Sequence, residues 1–292
     1  MKILFAGYRD WARGALLKFY LSDSKERCSI EFVETPERLD EELETKTYDL
    51  VFLAGWSWIV PKELCEKHFI VGVHPSDLPS YAGGSPIQHQ ILAGISNTKM
   101  SVFRISPVLD GGGILYKTDL CLDGNMDDIF ESLKWATVDC LKHLVDNWPN
   151  VEEKKQDHRE KPLRRLLPKD SELTIDRFQS MNAKQLYDFM RCREYPYPNV
   201  YIEDDSGKLL IERVHFLHKN KLEKGTRVKL TKWYIKQLAT TNSDAHAREF
   251  ESQIGTVMDP MFDDEELLVN VLWDSGLRYG YFTHDLDIVE EQ

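Results

Sequence analysis

The chain has 292 residues and carries 49 acidic against 37 basic side chains, a formal net charge of −12 at pH 7. This length exceeds one typical domain and allows a sizeable core, so two or three modules are expected. The acidic balance disfavours a large interface with nucleic-acid phosphates, which requires clustered cations. The five cysteines are scattered without a C-x-x-C pair, which favours a reducing cytoplasm and no metal site.

The first half of the chain alternates apolar runs of strand length with stretches of helical periodicity. Such alternation is typical of right-handed crossovers and a parallel sheet, so we expect an α/β domain. The run from Ile3 to Ala6 is too short for a signal peptide or a membrane span, which favours a soluble protein. No G-x-G-x-x-G pattern follows it, which disfavours a nicotinamide dehydrogenase. Strands are predicted at 3–6, 30–33, 49–53, 69–73, 101–105 and 114–120, and helices at 11–21, 36–44, 61–67, 87–93 and 126–148.

The turn between the first strand and the first helix carries Tyr8 and Arg9. In an open α/β sheet this turn faces the crevice at the carboxyl ends of the strands, and free amides at a helix start attract anions. Arg9 is therefore a candidate contact for a substrate phosphate, with Tyr8 beside it. The alternative is a surface arginine that is solvated or paired with Asp10.

A rigid loop follows the fourth predicted strand. It begins at His74 and has three prolines and two glycines in thirteen residues, so neither a helix nor a central strand can continue through it. A second Gly-rich turn carries Asp110, a carboxylate that can fix the tautomer of an imidazole and stabilise its cation. The pair predicts a proton-transfer site. The alternative is a loop histidine satisfied by backbone groups and an ordinary turn aspartate.

The rest of the chain indicates a linker and a β-rich end. The helix predicted over 126–148 carries an apolar stripe, which we expect to be core packing. The charged stretch 154–169 marks a linker or hinge. Beyond it, strands are predicted at 225–228, 255–257, 269–273 and 277–281, the last two joined as a hairpin. A small SH3-like or OB-like barrel is the simplest closure, with Trp273 in its core, and the acidic run 263–266 is expected to be a solvated loop.

The two loops also carry a family resemblance. H-x-S-x-L-P from His74 to Pro79, with D-x-G-x-I from Asp110 to Ile114, resembles the folate-dependent formyltransferases, which include methionyl-tRNA formyltransferase and the nucleotide-sugar N-formyltransferases. The resemblance implies that His74 and Asp110 assist formyl transfer from N10-formyltetrahydrofolate to an amine, without a metal. It also implies an α/β, Rossmann-like formyltransferase domain at 1–165, a substrate-capping linker at 166–215 and a small C-terminal β-barrel domain at 216–292.

The resemblance assigns further contacts by position. Main-chain groups near Ser57, Trp58, Ile59 and Leu109 would hold the pterin of the folate, although Trp58 could equally be a core aromatic. Contacts with the acceptor substrate would come from Tyr8, Arg9, Ser76, Gln88 and Arg165.

Two positions depart from the family pattern. Gly72 stands where the family usually has an asparagine that donates to the oxyanion, and loss of one such donor typically costs about a hundredfold to a thousandfold in rate. Gln88, Ser85, protonated His74 or a water could substitute, or activity could be weak. Asp77 replaces a more often apolar residue and is either a solvated loop carboxylate or a substrate contact.

The sequence therefore predicts a cytoplasmic enzyme that formylates the primary amine of a nucleotide-linked amino sugar. Two alternatives stay open: a methionyl-tRNA formyltransferase, which the acidic charge disfavours, and a degenerate protein that has lost its oxyanion donor and uses the barrel for binding or assembly. The predicted partner is a small-molecule acceptor, without nucleic acid or membrane, and a homodimer is left open.

Overall fold

The computed structural model describes residues 1–156, 161–216, 222–231, 234–235, 250, 252–260, 268–282 and 285–289. The chain divides into two compact units, Met1–Val214 and His215–Gln292. The predicted boundary at residue 165 falls inside the first unit, and the functional division there stays a prediction. The acidic run 263–266 lies outside the described residues. No helix in the described part is long and apolar enough to cross a bilayer.

The first unit is built on a six-stranded sheet. Its strands are Lys2–Ala6 (β1), Ser29–Val33 (β2), Leu50–Leu53 (β3), Ile70–His74 (β4), Asn97–Arg104 (β5) and Ile114–Cys121 (β6), in the order β2-β1-β3-β4-β5-β6. The four strands from β2 to β4 in this order are parallel, because helices carry the chain back between them.

The sheet is mixed, so the expectation of a parallel sheet is wrong for β5, which runs opposite to the other five strands. β5 is antiparallel both to β4 and to β6. Only residues 105–113 join β5 to β6, whereas a parallel crossover needs about a dozen or more residues. Between β4 and β5, most of the connection is the Pro-rich loop, and the helix that follows is short.

Helices cover the sheet, and their buried faces form the core. The predicted stripe on the long helix is confirmed, because Ile129, Leu133, Cys140 and Leu144 are all buried. This helix starts at a capping box in which the Asn125 side chain accepts from the backbone amides of the first turn. The helices are Asp10–Phe19 (α1), Pro36–Thr45 (α2), Lys62–Lys67 (α3), Pro86–Leu92 (α4), Met126–Asn147 (α5), Ile175–Ser180 (α6) and Ala183–Arg191 (α7), with 3₁₀ turns at Asp23–Arg27 and Pro168–Ser171.

Two smaller sheets complete the described structure. Val200–Asp204 (β7) and Gly207–Ile211 (β8) form a hairpin that sequence analysis missed. The second unit contains Arg227–Leu230 (β9), Gly255–Pro260 (β10), Leu268–Trp273 (β11), Arg278–Phe282 (β12) and Leu286–Ile288 (β13), in the antiparallel order β12-β11-β10-β9-β13. Trp273 is buried and its indole donates to the Tyr281 hydroxyl, which confirms it as a core residue.

The second unit is shown as an open sheet. Within its described residues, no pairing joins the outer strands β12 and β13. Closure into a barrel therefore stays a prediction.

Candidate functional site

The candidate site lies at the carboxyl edge of the parallel strands. Ala6 of β1 pairs with Leu53 of β3, which pairs with Gly72 of β4, so the turns that follow these strands start side by side. The strand order reverses next to β1, and open α/β sheets bind ligands outside such a point. The predicted residues on these turns therefore share one edge of the sheet.

His74 and Asp110 are brought together at the end of β4. The His74 Nδ1 atom is 3.7 Å from the Asp110 Oδ2 atom, and both side chains are largely buried. The other ring nitrogen, Nε2, lies 3.0 Å from the main-chain oxygen of Tyr81. A carbonyl oxygen can only accept, so Nε2 carries the hydrogen of this bond.

This geometry fixes the tautomer of the imidazole. With Nε2–H donated to Tyr81, the neutral ring has its lone pair on Nδ1, which faces the carboxylate. The distance from Nδ1 to the Asp110 carboxylate exceeds a direct hydrogen bond. An amine nitrogen near both groups could give a proton to Nδ1, and the resulting cation would be stabilised by Asp110 on one side and the Tyr81 carbonyl on the other.

The loop after β4 is braced by its own main chain. The Gly83 amide donates to Asp110 Oδ2 at 2.8 Å, which ties this loop to the second Gly-rich turn. Tyr81 and Asp110 both adopt positive φ, at 57° and 48°, a conformation that non-glycine residues rarely hold without support. Ser76 is fully buried, and its hydroxyl donates to the main-chain oxygen of Ser80. Ser76 therefore shapes the loop, and its contact with substrate stays a prediction.

Gly72 leaves little open space where the family asparagine would project. A Cβ atom built there would lie 2.8 Å from Cδ1 of Ile105 and 3.4 Å from Cε1 of Phe103. The nearer atom is the end of a flexible side chain, so a larger residue would require Ile105 to move. The backbone of Gly72 belongs to β4 and is not among the positive-φ glycines.

The proposed substitute donors differ in the hydrogen bonds that they already make. Gln88 is buried, and its Nε2 makes no hydrogen bond within the described residues. The Ser85 hydroxyl accepts from the Leu166 amide at 3.0 Å. Both residues line a small cavity of about 30 Å³. Burial raises the pKa of the Tyr197 hydroxyl in the same cavity, and the nearby Gln88 amide and Arg9 charge offset part of that rise.

The turns after β1 and β3 touch each other. The Tyr8 hydroxyl is 2.8 Å from the Ser57 hydroxyl, and the Tyr8 ring lies against Trp58 with centroids 4.6 Å apart. The side chains of Trp58, Ile59 and Leu109 are exposed, Ile59 at 95%. Exposed apolar side chains on two turns at one edge offer a surface for a flat, partly apolar ring.

Arg9 is available for an anion. Its guanidinium lies 4.7 Å from the centre of the Tyr8 ring. Asp10 pairs with Arg13 instead, and no acidic side chain of the described residues forms an ion pair with Arg9. The alternative of an Arg9 pair with Asp10 therefore does not describe this structure.

The structure shows what surrounds Arg165 and Asp77. The segment that carries Arg165 runs along the loop, because the Gly84 amide donates to the Leu163 oxygen at 2.8 Å. The Arg165 side chain is exposed, and its contact with substrate stays a prediction. Asp77 forms an ion pair with Lys117 and its side chain is 56% exposed, so the carboxylate is solvated in part, and a contact with substrate stays a prediction.

Sequence reasoning missed three residues around the pair: Tyr81, Gly83 and Gln156. The first two act through main-chain atoms, which leave no side-chain signal in a sequence. The Gln156 amide donates to the main-chain oxygens of Asp110 and Gly112. It lies in the charged stretch predicted as a linker, where a lone uncharged amide was the only sign available. No group of three or more His, Cys, Asp or Glu side chains suited to a metal occurs in the described part.

Comparisons with known proteins bear on the same region. The family model for formyl transferases matches residues 23–135, which include both His74 and Asp110. A methionyl-tRNA formyltransferase from Campylobacter lari is 27% identical over 184 residues, which cover 61% of this chain and 57% of that protein. The chain thus matches little more than half the length of this relative.

Solved structures share the fold. A methionyl-tRNA formyltransferase from Clostridium thermocellum is 27% identical with a TM-score of 0.67, over 76% of this chain and 95% of that one. A sugar N-formyltransferase from Shewanella sp FDAARGOS_354 is 16% identical with a TM-score of 0.59, over 75% and 99%. HypX from Aquifex aeolicus in complex with tetrahydrofolic acid is 15% identical with a TM-score of 0.62, over 77% and 40%.

Fold and matched region together define an α/β protein of the formyltransferase type. The His74–Asp110 pair stands inside the part that the family model matches. Over residues 23–135 the chain matches the formyl transferase family model, and it is similar to folate-dependent formyltransferases in sequence and fold.

Proposed function

We propose that this protein transfers a formyl group from N10-formyltetrahydrofolate to the primary amine of a nucleotide-linked amino sugar, in the cytoplasm. The observation that carries the proposal is the His74–Asp110 pair, held at 3.7 Å with the ring oriented by the Tyr81 carbonyl. A histidine whose lone pair faces a carboxylate at the edge of a sheet has the arrangement of an oriented general base. The five free cysteines are consistent with a reducing compartment.

The chemical step requires one proton transfer in each direction. The amine nitrogen attacks the formyl carbon and forms a new C–N bond, while the carbonyl oxygen takes up negative charge. His74 Nδ1 accepts the amine proton, and Asp110 stabilises the imidazolium. The C–N10 bond then breaks, and the proton passes to N10 of the departing tetrahydrofolate. The buried Gln88 Nε2 atom, which has no hydrogen-bond partner within the described residues, is the side-chain donor that we propose for the oxyanion.

The folate would occupy the edge formed by two turns. The exposed side chains of Trp58, Ile59 and Leu109 supply apolar surface for the pterin, and main-chain groups beside them supply hydrogen bonds. HypX, whose structure holds tetrahydrofolic acid, supports a folate site on this fold.

The acceptor would occupy the side of Tyr8 and Arg9. Arg9 has no carboxylate partner within the described residues, so its charge can meet a phosphate of a nucleotide sugar. We propose residues 1–165, which include Arg165 as an acceptor contact, as the catalytic domain and residues 166–215 as the segment that caps the acceptor. The C-terminal unit, which we propose closes into a small barrel, has no part in this scheme.

A second candidate acceptor is methionyl-tRNA. It is favoured by the names of the Campylobacter and Clostridium relatives, each 27% identical. The net charge of −12 opposes it, because binding to a tRNA backbone draws on clustered cations.

Formylation assays decide among these functions. Purified protein is incubated with N10-formyltetrahydrofolate and either methionyl-tRNA or a panel of nucleotide-linked amino sugars, at moderate salt. We expect formylation of a nucleotide-linked amine and none of the tRNA. Efficient tRNA formylation would reverse the ranking of acceptors. Folate binding without transfer to any amine would instead favour the degenerate binding protein that Gly72 suggests.

A further inference from the structure

We propose that Gln156 is a positioning residue of this site, because its side-chain amide holds the turn that presents Asp110 to His74. The inference rests on the proposed formyl transfer and adds a residue outside both sequence motifs and outside the matched region 23–135. It concerns a side chain that touches neither substrate in the proposed scheme.

The turn that carries Asp110 needs external support. Asp110 has a φ of 48°, and a non-glycine residue keeps such a conformation only where its surroundings impose it. Two residues later the chain passes so close to β5 that a Cβ on Gly112 would lie 1.8 Å from the Arg104 oxygen. The turn is therefore both strained and confined, and its position determines where the Asp110 carboxylate lies.

A segment from far along the chain reaches this turn by pairing with β6. The amides and oxygens of Ile114 and Lys154 exchange two hydrogen bonds, at 2.7 and 2.8 Å. Next to this bridge, a Cβ on Gly113 would lie 2.3 Å from the Glu153 carboxylate, so the two strands of chain are in close contact. Gln156 follows two residues after the bridge, so this pairing places its side chain next to the turn that carries Asp110.

The side-chain amide of Gln156 donates both of its hydrogens to main-chain oxygens of this turn. Nε2 donates to the Asp110 oxygen at 2.8 Å and to the Gly112 oxygen at 2.7 Å. Both partners are carbonyls, so only the nitrogen end of the amide can face them. The Oε1 atom is buried with no hydrogen-bond partner in the described residues, which costs free energy. This cost is consistent with a side chain whose role depends on the nitrogen end of its amide.

Loss of these two bonds would free the turn and with it the carboxylate. Asp110 Oδ2 is held 3.7 Å from His74 Nδ1 and 2.8 Å from the Gly83 amide, so the Gly83 N–H reports whether Asp110 is in place. A displacement of about 1 Å in a reacting group can cost on the order of a hundredfold in rate.

The kinetic test uses Gln156→Glu, which keeps the size of the side chain but cannot donate when ionised. We expect kcat to fall about tenfold or more, while KM for the donor and the acceptor stays within about twofold. The matched control is Asn147→Asp, the same change of amide to acid. Asn147 and Gln156 line one surface cavity that His74 and Asp110 do not line, and within the described residues the Asn147 amide donates to the His143 oxygen alone. The control should keep the kcat of the unchanged protein, and equal losses in both variants would overturn the proposal.

A double variant separates positioning from a general structural role. If Gln156 acts through Asp110, then Gln156→Glu lowers kcat no further in a protein that already carries Asp110→Asn. A merely structural role would give two independent losses that multiply, and that result would overturn the proposal.

Hydrogen exchange at the Gly83 amide provides a readout that needs no activity. We expect faster exchange at this amide in Gln156→Glu and in Asp110→Ala, and unchanged exchange in Asn147→Asp. Unchanged Gly83 exchange in Gln156→Glu would overturn the positioning role even if kcat fell. If the unchanged protein formylates no amine, the proposed function fails while the exchange measurement still decides whether Gln156 holds Asp110.

Discussion

The two halves of the candidate site are built in opposite ways. Around His74, the Tyr81 oxygen accepts from the ring, the Gly83 amide donates to Asp110, and the distant Gln156 donates to the turn that carries Asp110; the His74 and Asp110 side chains are largely buried. Around Trp58 and Ile59, the turns present exposed apolar side chains with few polar contacts. The first half has the rigidity that proton transfer requires, whereas the second offers surface that a ligand can cover.

The largest effect should come from the rigid half. His74→Asn and Asp110→Ala are each expected to lower turnover by at least about a hundredfold, because they remove the proton acceptor and the group that stabilises its cation. Folate binding should be nearly unchanged, since neither side chain belongs to the apolar half. Steady-state kinetics together with equilibrium binding of the folate test this. Near-normal turnover in either variant would contradict the assignment.

The second effect concerns the oxyanion donor. Gly72→Asn is expected to lower turnover, because its side chain must displace Ile105 in a site already filled by Ile105 and Phe103. Gln88→Ala should lower turnover by about tenfold to a hundredfold if Gln88 donates to the oxyanion.

Ser85→Ala is measured beside these variants, because the Ser85 hydroxyl accepts from the Leu166 amide and still has its own hydrogen to donate. A faster Gly72→Asn with both alanine variants unchanged would show that no protein donor has replaced the asparagine.

The third effect probes the exposed half. Trp58→Ala should raise KM for the folate by about tenfold and leave kcat within about twofold, because a stacking surface is lost while the proton acceptor is intact. Trp135→Ala removes another half-exposed tryptophan, on the surface of α5, and serves as the matched control. A large loss of kcat in Trp58→Ala would erase the contrast between the two halves.

The smallest effect should come from the contact within the apolar half. Tyr8→Phe removes the hydroxyl pair with Ser57 and keeps the ring against Trp58. We expect the free energy of unfolding to fall by about 1 kcal/mol or less, since the bond is exposed to water. Chemical denaturation measures this. A much larger loss would mean that the turns are as rigid as the loop around His74.

Local patterns predicted most of the first unit's elements, because strand and helix periodicity is a property of neighbouring residues. The strand that ends at His74 and the buried stripe on α5 are examples. The direction of β5 was missed, because it depends on the length and structure of the connections on either side and not on the strand's own residues. The hairpin of β7 and β8 was also missed, although the turn at Asp205-Ser206-Gly207 is a hairpin signal.

The His74–Asp110 pair was predictable from two motifs, but its surroundings were not. His74 and Asp110 stand in recognisable loops, and the structure brings them together. Tyr81 and Gly83 contribute main-chain atoms, and Gln156 arrives by a pairing of Ile114 with Lys154 that no local pattern encodes. The roles of these residues depend on contacts between distant parts of the chain, which a single sequence does not specify.

The pairing of the His74 loop with the segment around Leu163 also determines when, during synthesis, the hydrogen bonds of this loop can form. Gly84 donates to the Leu163 oxygen, and Ser85 accepts from the Leu166 amide, so the loop's partners are made long after the loop itself. At a translation rate of about 5 to 20 residues per second, this delay is roughly 4 to 16 s. A nascent chain released before Leu166 would carry His74 and Asp110 but would lack the complete segment that forms hydrogen bonds with the loop beside them.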